Sequence, residues 1–175
     1  MKTILPISIA TLFLFAPTFH YIQGLAPSKN APDVPFHTPA YTTGKSLPRH
    51  ITSSLTVGPE DGVILVHTVV TVDTGATLSI KPGTTVAVSE YGGLQVLGTL
   101  NASGAETTPI VFISNELNES NRNWNGILFE NTGKGIVKHT IFHHASPALS
   151  CSSPGNVTLD SNTSLFGNLD LWGSC

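Results

Sequence analysis

Residues 75–102, GATLSIKPGTTVAVSEYGGLQVLGTLNA, open a stretch that runs to Phe129 and repeats one short apolar phrase. The phrase recurs as Leu78-Ser-Ile80, Leu94-Gln-Val96, Ile110-Val-Phe112 and Ile127-Leu-Phe129, so its starts are almost evenly spaced. Glycine-containing corners separate the phrases. A repeat this short has no room for a helix, so it indicates short strands joined by turns. The spacing predicts an all-β coil in which units of about this size stack as parallel neighbours.

The composition supports a β fold and excludes some partners. The chain has 175 residues, of which 11% are charged, with 16 Gly and 12 Pro. Abundant Thr, Val, Ile and Gly favours strands and turns. The formal net charge is −3, so the chain lacks the basic field with which proteins attract nucleic acid, and we expect no nucleic-acid partner.

Both ends of the chain differ from its middle. Residues 1–24 are typical of a secretory signal peptide, with Lys2 before an apolar run and cleavage expected after Gly24. An uncleaved anchor is the alternative; after cleavage we expect a secreted chain with no membrane span. Residues 25–50 carry five prolines and are expected to be a flexible, disordered leader. The β domain is then expected over residues 51–168, with residues 169–175 as a C-terminal cap.

Extracellular chemistry is expected at the cysteines and at four glycosylation motifs. Cys151 and Cys175 are the two cysteines, and in an oxidising compartment we expect them to form a disulfide rather than remain two thiols. Their spacing fits no zinc motif. Candidate glycan sites follow the Asn-x-Ser/Thr pattern: Asn101, Asn118, Asn156 and Asn162. Asn118 lies in the polar insertion 114–123, which makes it the best of the four if the host glycosylates its exported proteins.

Several of these phrases carry a family resemblance. Residues 75–83 and 93–102, followed by 108–114, 124–127 and 137–145, resemble coils of the right-handed parallel β-helix proteins of the pectin-lyase-like superfold. The resemblance covers roughly residues 54–168 and implies a parallel β-helix of few coils. It implies little about activity, because such modules occur in bacterial surface proteins and in large animal cell-surface proteins.

Enzymes of that superfold need catalytic groups gathered in one place, and this sequence shows no such cluster. The lyases hold Ca²⁺ with clustered acidic side chains and use an Arg or Lys base, and the hydrolases use paired carboxylates. Here the acidic residues are scattered, and only Glu60 and Asp61 are adjacent, in a turn. We therefore expect no catalytic residue, no cofactor and no enzymatic activity.

Four histidines are the remaining candidates for a binding site. His139, His143 and His144 lie close together in the sequence and could meet His67 on a neighbouring coil. Imidazoles in such a cluster can bind Zn²⁺ or Cu²⁺. Strand alternation places His143 and His144 on opposite faces, which favours a structural role over a metal site.

These observations favour a secreted, noncatalytic β-helix module that binds or scaffolds an extracellular protein or carbohydrate. Two alternatives are a carbohydrate-active enzyme remnant and a truncated part of a larger surface protein. An ice-binding face would need Thr-x-Thr in register on successive coils, and residues such as Thr77 and Thr99 are not expected to align that way.

Overall fold

The chain folds as a parallel β-helix. The computed structural model describes residues 41–115, 124–152, 157–160, 164–166 and 171–173. Within these residues there are 17 strands, one 3-10 turn and no α-helix. The strands are β1 (Lys45–Ser46), β2 (His50–Ile51), β3 (Leu55–Val57), β4 (Ile64–Val66), β5 (Val69–Val72), β6 (Thr77–Ile80), β7 (Thr85–Val88), β8 (Gly93–Val96), β9 (Thr99–Ser103), β10 (Ile110–Ser114), β11 (Ile127–Phe129), β12 (Lys134–Lys138), β13 (Thr140–His143), β14 (Leu149–Cys151), β15 (Val157–Leu159), β16 (Ser164–Phe166) and β17 (Leu171–Gly173). The 3-10 turn, Pro59–Asp61, lies between β3 and β4.

Every third strand belongs to the same sheet, so each coil adds one strand to each of three sheets. Sheet A has the order β1-β4-β7-β10-β13-β16, sheet B the order β2-β5-β8-β11-β14-β17, and sheet C the order β3-β6-β9-β12-β15. The strand pairings are parallel throughout. The predicted all-β coil of parallel strands is therefore confirmed.

One coil is longer than the predicted repeat. Leu78 pairs with Leu100 in sheet C, and Ile64 pairs with Val86 in sheet A. One coil therefore contains more residues than the interval between two successive apolar phrases. The four apolar phrases lie in β6, β8, β10 and β11, which belong to sheets C, B, A and B. The prediction that one coil has the length of the phrase spacing was therefore wrong, because successive phrases lie on different sides of the coil.

Inward-facing side chains stack into rows that fill the coil. In sheet B one row is Val72, Val96, Phe129 and Cys151. In sheet C a row is Val57, Ile80, Ala102, Val137 and Leu159. Burying such apolar surface stabilises the fold by roughly 25 cal/mol for each Å² removed from water. Since a short coil pairs only with its neighbours, these rows hold successive coils together.

An aromatic stack lies in the buried core. Phe112 and Phe142 are partners in sheet A, and their rings are parallel with centroids 5.2 Å apart. Trp124 joins them, with its centroid 5.7 Å from that of Phe112. Its indole Nε1 donates a hydrogen bond to the carbonyl of His143 at 2.9 Å, which satisfies the buried polar atom.

Two corners require glycine because the backbone of the adjacent coil is too close for a side chain. A Cβ at Gly98 would overlap the carbonyl oxygens of Asp73 and Ala76 in the preceding coil. A Cβ at Gly126 would overlap the carbonyl oxygen of Pro147 in the following coil, and Gly126 also has φ +71°. These contacts explain the glycines that mark the corners in the sequence.

The described fold begins and ends differently from the expected boundaries. Lys45 and Ser46 pair with β4, and His50 and Ile51 pair with β5, so coil residues precede the expected start at Ile51. Leu171–Gly173, expected in a cap, pairs with β14 as a further strand of sheet B. The expected signal peptide, residues 1–24, and residues 25–40 of the leader lie outside the described residues.

Candidate functional site

The outer face of sheet C is the most regular exposed polar surface of the described coil. Residues that alternate with the core positions align across the strands in one central row: Thr56, Ser79, Asn101, Ile136 and Thr158. Beside it, Thr77, Thr99 and Lys134 align in a second row. Adjacent strands lie about 4.8 Å apart, so hydroxyl and amide groups recur at that interval in β3, β6 and β9, while β12 contributes Ile136 and Lys134. We call these two rows, with Ser103 and Lys138 beyond them, the polar face of sheet C.

The chemistry of this face is hydroxyl, amide and ammonium. Thr56, Asn101 and Thr158 are exposed, and Ile136 is 41% exposed. Lys134 and Lys138 both lie in β12, and the strands of sheet C contain no Asp or Glu. A face of this kind can donate and accept many hydrogen bonds and can attract an anionic group.

Two features of the polar face were not visible in the sequence alone. Thr77 and Thr99, which were not expected to align, are direct partners in β6 and β9. Asn101, one of the candidate glycan sites, is exposed at the centre of the face. Its Oδ1 accepts a hydrogen bond from Oγ of Ser103, the third residue of the same glycosylation motif, at 2.9 Å. A glycan at Asn101 would therefore cover the polar face.

The outer face of sheet B is mixed: it includes the apolar residues Val69 and Leu128, and its polar side chains bind one another. Thr71 Oγ1 donates to Gln95 Oε1 at 3.1 Å, and Gln95 Nε2 donates to Glu130 Oε2 at 2.7 Å. At the start of the same sheet, His50 Nδ1 lies 3.2 Å from Asp73 Oδ1. These contacts join successive coils, so we interpret this ladder as a structural element rather than as a ligand site.

The carboxylates described in the coil are dispersed over several corners and faces. Glu60 bonds to Lys81, and Asp61 bonds to Lys45 with Nζ and Oδ1 2.8 Å apart. The hydrogen bond from Lys81 lowers the pKa of Glu60, and the bond from Lys45 lowers the pKa of Asp61. A carboxyl held ionised in an ion pair is poorly suited to act as a general acid near neutral pH.

The structure separates His67 from the other candidate histidines. His67 is exposed after β4, with Nε2 3.2 Å from Ser46 Oγ, and β4 is three strand positions from β13. Three strand spacings amount to about 14 Å, so His67 is too far from the histidines at β13 to share one metal ion with them. Over the described ranges, no group of three or more His, Cys, Asp or Glu is placed to hold a metal ion.

The remaining three histidines have different surroundings. His139 contacts Asp160, which accepts a hydrogen bond from the His139 backbone N–H at 3.3 Å. His143 and His144 have ring centroids 6.1 Å apart, because the strand ends at His143 and His144 adopts φ +59°. His143 is 8% exposed, and its burial, together with the neighbouring His144, lowers its pKa to about 4. We expect it to be neutral at pH 7.

The other predicted site residues fall partly outside the described chain. Cys151 is buried in β14 beside Phe129, whereas Cys175 is outside the described residues, so their pairing stays a prediction. Asn118, Asn156 and Asn162 also lie outside them.

One contact between distant segments gave no signal in the sequence. Asn115 accepts a hydrogen bond from the Tyr41 backbone N–H at 2.5 Å. It also donates one from Nδ2 to the Tyr41 carbonyl at 3.1 Å. The two residues are 74 positions apart, and no local pattern connects them.

Comparison with known proteins adds no family to these observations. The chain matches no family model, no curated protein and no solved structure. The parallel β-helix is thus shown by the structure, while the likeness to the pectin-lyase-like superfold stays a resemblance of sequence phrases. Among the described residues, no helix is long and apolar enough to cross a bilayer.

Proposed function

We propose that this protein is a secreted, noncatalytic β-helix module that binds an extracellular ligand through the polar face of sheet C. The proposal includes removal of residues 1–24 as a signal peptide and a disulfide between Cys151 and Cys175. The observation that carries it is the register of the central row, which aligns the hydroxyl or amide side chains of four strands with Ile136 of the fifth.

The ligand best suited to this face is an acidic polysaccharide. Hydroxyl and amide side chains at a regular interval can hydrogen-bond to a chain of sugar hydroxyls. Lys134 and Lys138 add two positive charges to a surface whose strands carry no acidic side chain. An extended anionic polymer matches both features, because its carboxylate or sulfate groups recur along its length.

A binding experiment with a charge-matched control tests this proposal. The mature protein, with its glycans removed, would be titrated against acidic and neutral polysaccharides at low and physiological salt. Lys134→Glu on the polar face should weaken binding of the acidic polymer about tenfold, which corresponds to about 1.4 kcal/mol. Arg49→Glu changes the net charge equally at an exposed corner outside sheet C and should leave the affinity within about twofold.

Three results would overturn the proposal. The first is equal weakening by both variants, which would indicate a response to net charge alone. The second is failure of the unaltered protein to bind any of the polysaccharides. The third is shortening of the polymer during incubation, with or without Ca²⁺, which would show that the module is an enzyme.

A further inference from the structure

The outer face of sheet A is apolar, unlike the other two outer faces. Its side chains occupy the positions that alternate with the core residues of β4, β7, β10 and β13. Leu65, Ala87 and Ile113 align in one row, and Val111 and Ile141 align in the next. These five residues form a cluster separate from the core inside the coil. We call this cluster the apolar face of sheet A.

The apolar face is covered, although its side chains point out of the coil. The exposed fractions are 4% for Leu65, 1% for Ala87, 9% for Val111, 6% for Ile113 and 4% for Ile141. On sheet C the equivalent outward residue Ile136 is 41% exposed. The described apolar side chains that pack against the face are those of Tyr41 and Val63. Two partly buried side chains are a small cover for a cluster that spans four strands.

Tyr41 shows where the preceding chain arrives. Its two hydrogen bonds with Asn115 hold its backbone beside the end of β10, while Lys45 pairs with β4. Only four positions separate Tyr41, which is bonded to the side chain that follows β10, from Lys45, which is paired with the start of β4. The chain therefore runs across the strands of sheet A, and the residues before Tyr41 start from beside the apolar face.

The segment before Tyr41 has suitable length and chemistry. Residues 25–40, LAPSKNAPDVPFHTPA, contain four prolines together with Leu25, Val34 and Phe36. An extended proline-rich segment covers about 3 Å per residue, so this segment exceeds the width of the face several times. The backbone groups of sheet A are already paired within the sheet, so a covering segment must bind through side chains. A proline-rich segment suits that role, because it loses little conformational entropy and presents few backbone donors.

We propose that the apolar face of sheet A is an intramolecular docking surface for residues 25–40, which Tyr41 and Asn115 hold in place. Phe36 and Val34 are the side chains that cover the face. The other nearby segment, residues 116–123, reads ELNESNRN and has a single apolar residue, so it is a poorer cover. Docking would keep a contiguous apolar patch away from other molecules while the polar face of sheet C stays accessible.

Photo-crosslinking in the full mature chain tests the position of the segment directly. Phe36 is replaced by a photoreactive phenylalanine analogue, and the crosslinked peptides are identified by mass spectrometry. The expected products are intramolecular and contain Leu65, Ala87, Ile113 or Ile141. The same analogue in place of Tyr91, which is 71% exposed at a distant corner, should give no crosslink to those residues. Crosslinks from position 36 to sheet B or C, or none at all, would overturn the proposal.

A second measurement tests whether Phe36 covers the apolar face, and the crosslinks distinguish intramolecular docking from self-association. Phe36→Asp should raise the fluorescence of the apolar dye anilinonaphthalene sulfonate several-fold and speed tryptic cleavage after Lys29. Thr38→Asp introduces the same charge nearby and should change neither. If crosslinks reach sheet A of a second molecule, the occupant is another copy and the intramolecular proposal is wrong. Unchanged dye binding in Phe36→Asp would also contradict it.

Discussion

Acidification should destabilise this protein through one buried histidine. His143 lies on the outer side of β13, next to the apolar face of sheet A, and is 8% exposed. Burial, reinforced by His144, lowers its pKa from 6.5 to about 4. Charging this imidazole inside the fold is therefore harder than charging it in the unfolded chain.

The sign and size of the effect follow from that difference in pKa. Above pH 6.5 the ring is neutral in both states, and it contributes nothing to the pH dependence. Between pH 6.5 and about 4, the unfolded chain binds the proton and the folded chain does not, so the free energy of unfolding falls. Each pH unit in that window removes about 1.4 kcal/mol, which gives a loss of about 3 kcal/mol by pH 4.

Urea unfolding at pH 7, 5.5 and 4 measures this loss. The unaltered protein should lose about 3 kcal/mol more than His143→Leu between pH 7 and 4, because the variant has no proton to bind at this position. His67→Leu removes an exposed histidine and should follow the unaltered protein. Equal losses in His143→Leu and in the unaltered protein would refute the assignment of the pH dependence to His143.

Three further changes test the core, a corner and the polar face. Phe112→Ala removes the centre of the aromatic stack and should lower the free energy of unfolding by about 3–5 kcal/mol. Tyr91→Ala, at a residue 71% exposed, should change it by less than about 0.5 kcal/mol. If urea unfolding shows similar losses for the two variants, the stack is not a main source of stability. Gly98→Ala places a Cβ against the carbonyl of Asp73, so soluble yield and melting temperature should fall sharply, and a variant that melts like the parent would contradict the close packing of coils. If Asn101 carries a glycan, enzymatic removal should increase polysaccharide binding, and an unchanged affinity would place the ligand away from the polar face of sheet C.

The alternation of residues was enough to predict the strands and the orientation of their core side chains. Leu78 and Ile80 flank Ser79, and the structure buries both the leucine and the isoleucine while Ser79 lies on the outer side. This pattern is local, since successive side chains of any strand point to opposite faces. The glycine corners were equally visible, because the close approach of adjacent coils leaves no room for a side chain at positions such as Gly98.

The assignment of strands to sheets was not available from the same pattern. Equal spacing made residues 78–80 and 94–96 look like successive coils, yet they lie in sheets C and B. The stretch 63–72, which is rich in β-branched residues and interrupted by His67 and Thr68, likewise divides into β4 and β5, in sheets A and B. Every strand of a parallel β-helix has a similar apolar pattern, so the pattern does not say which side of the coil a strand occupies.

The candidate surfaces depend on that assignment. Thr56, Ser79 and Asn101 form a row only because each full coil carries the chain from one of them to the next. Glu130 reaches Gln95 from 35 positions away, and the contact of Tyr41 with Asn115 joins segments 74 positions apart. Pairings of this kind are set by how the coils stack, which no short stretch of the chain encodes.

The sequence by itself thus determined that the chain forms short, parallel, stacked strands with an apolar interior, because strand alternation and turn chemistry act between near neighbours. Only the tertiary structure decided that sheet A has an apolar outer face, sheet B a bonded polar ladder and sheet C an exposed polar face. The physical reason is register: an outward residue acquires its neighbours from the coils above and below it, and these lie at least one full coil away along the chain.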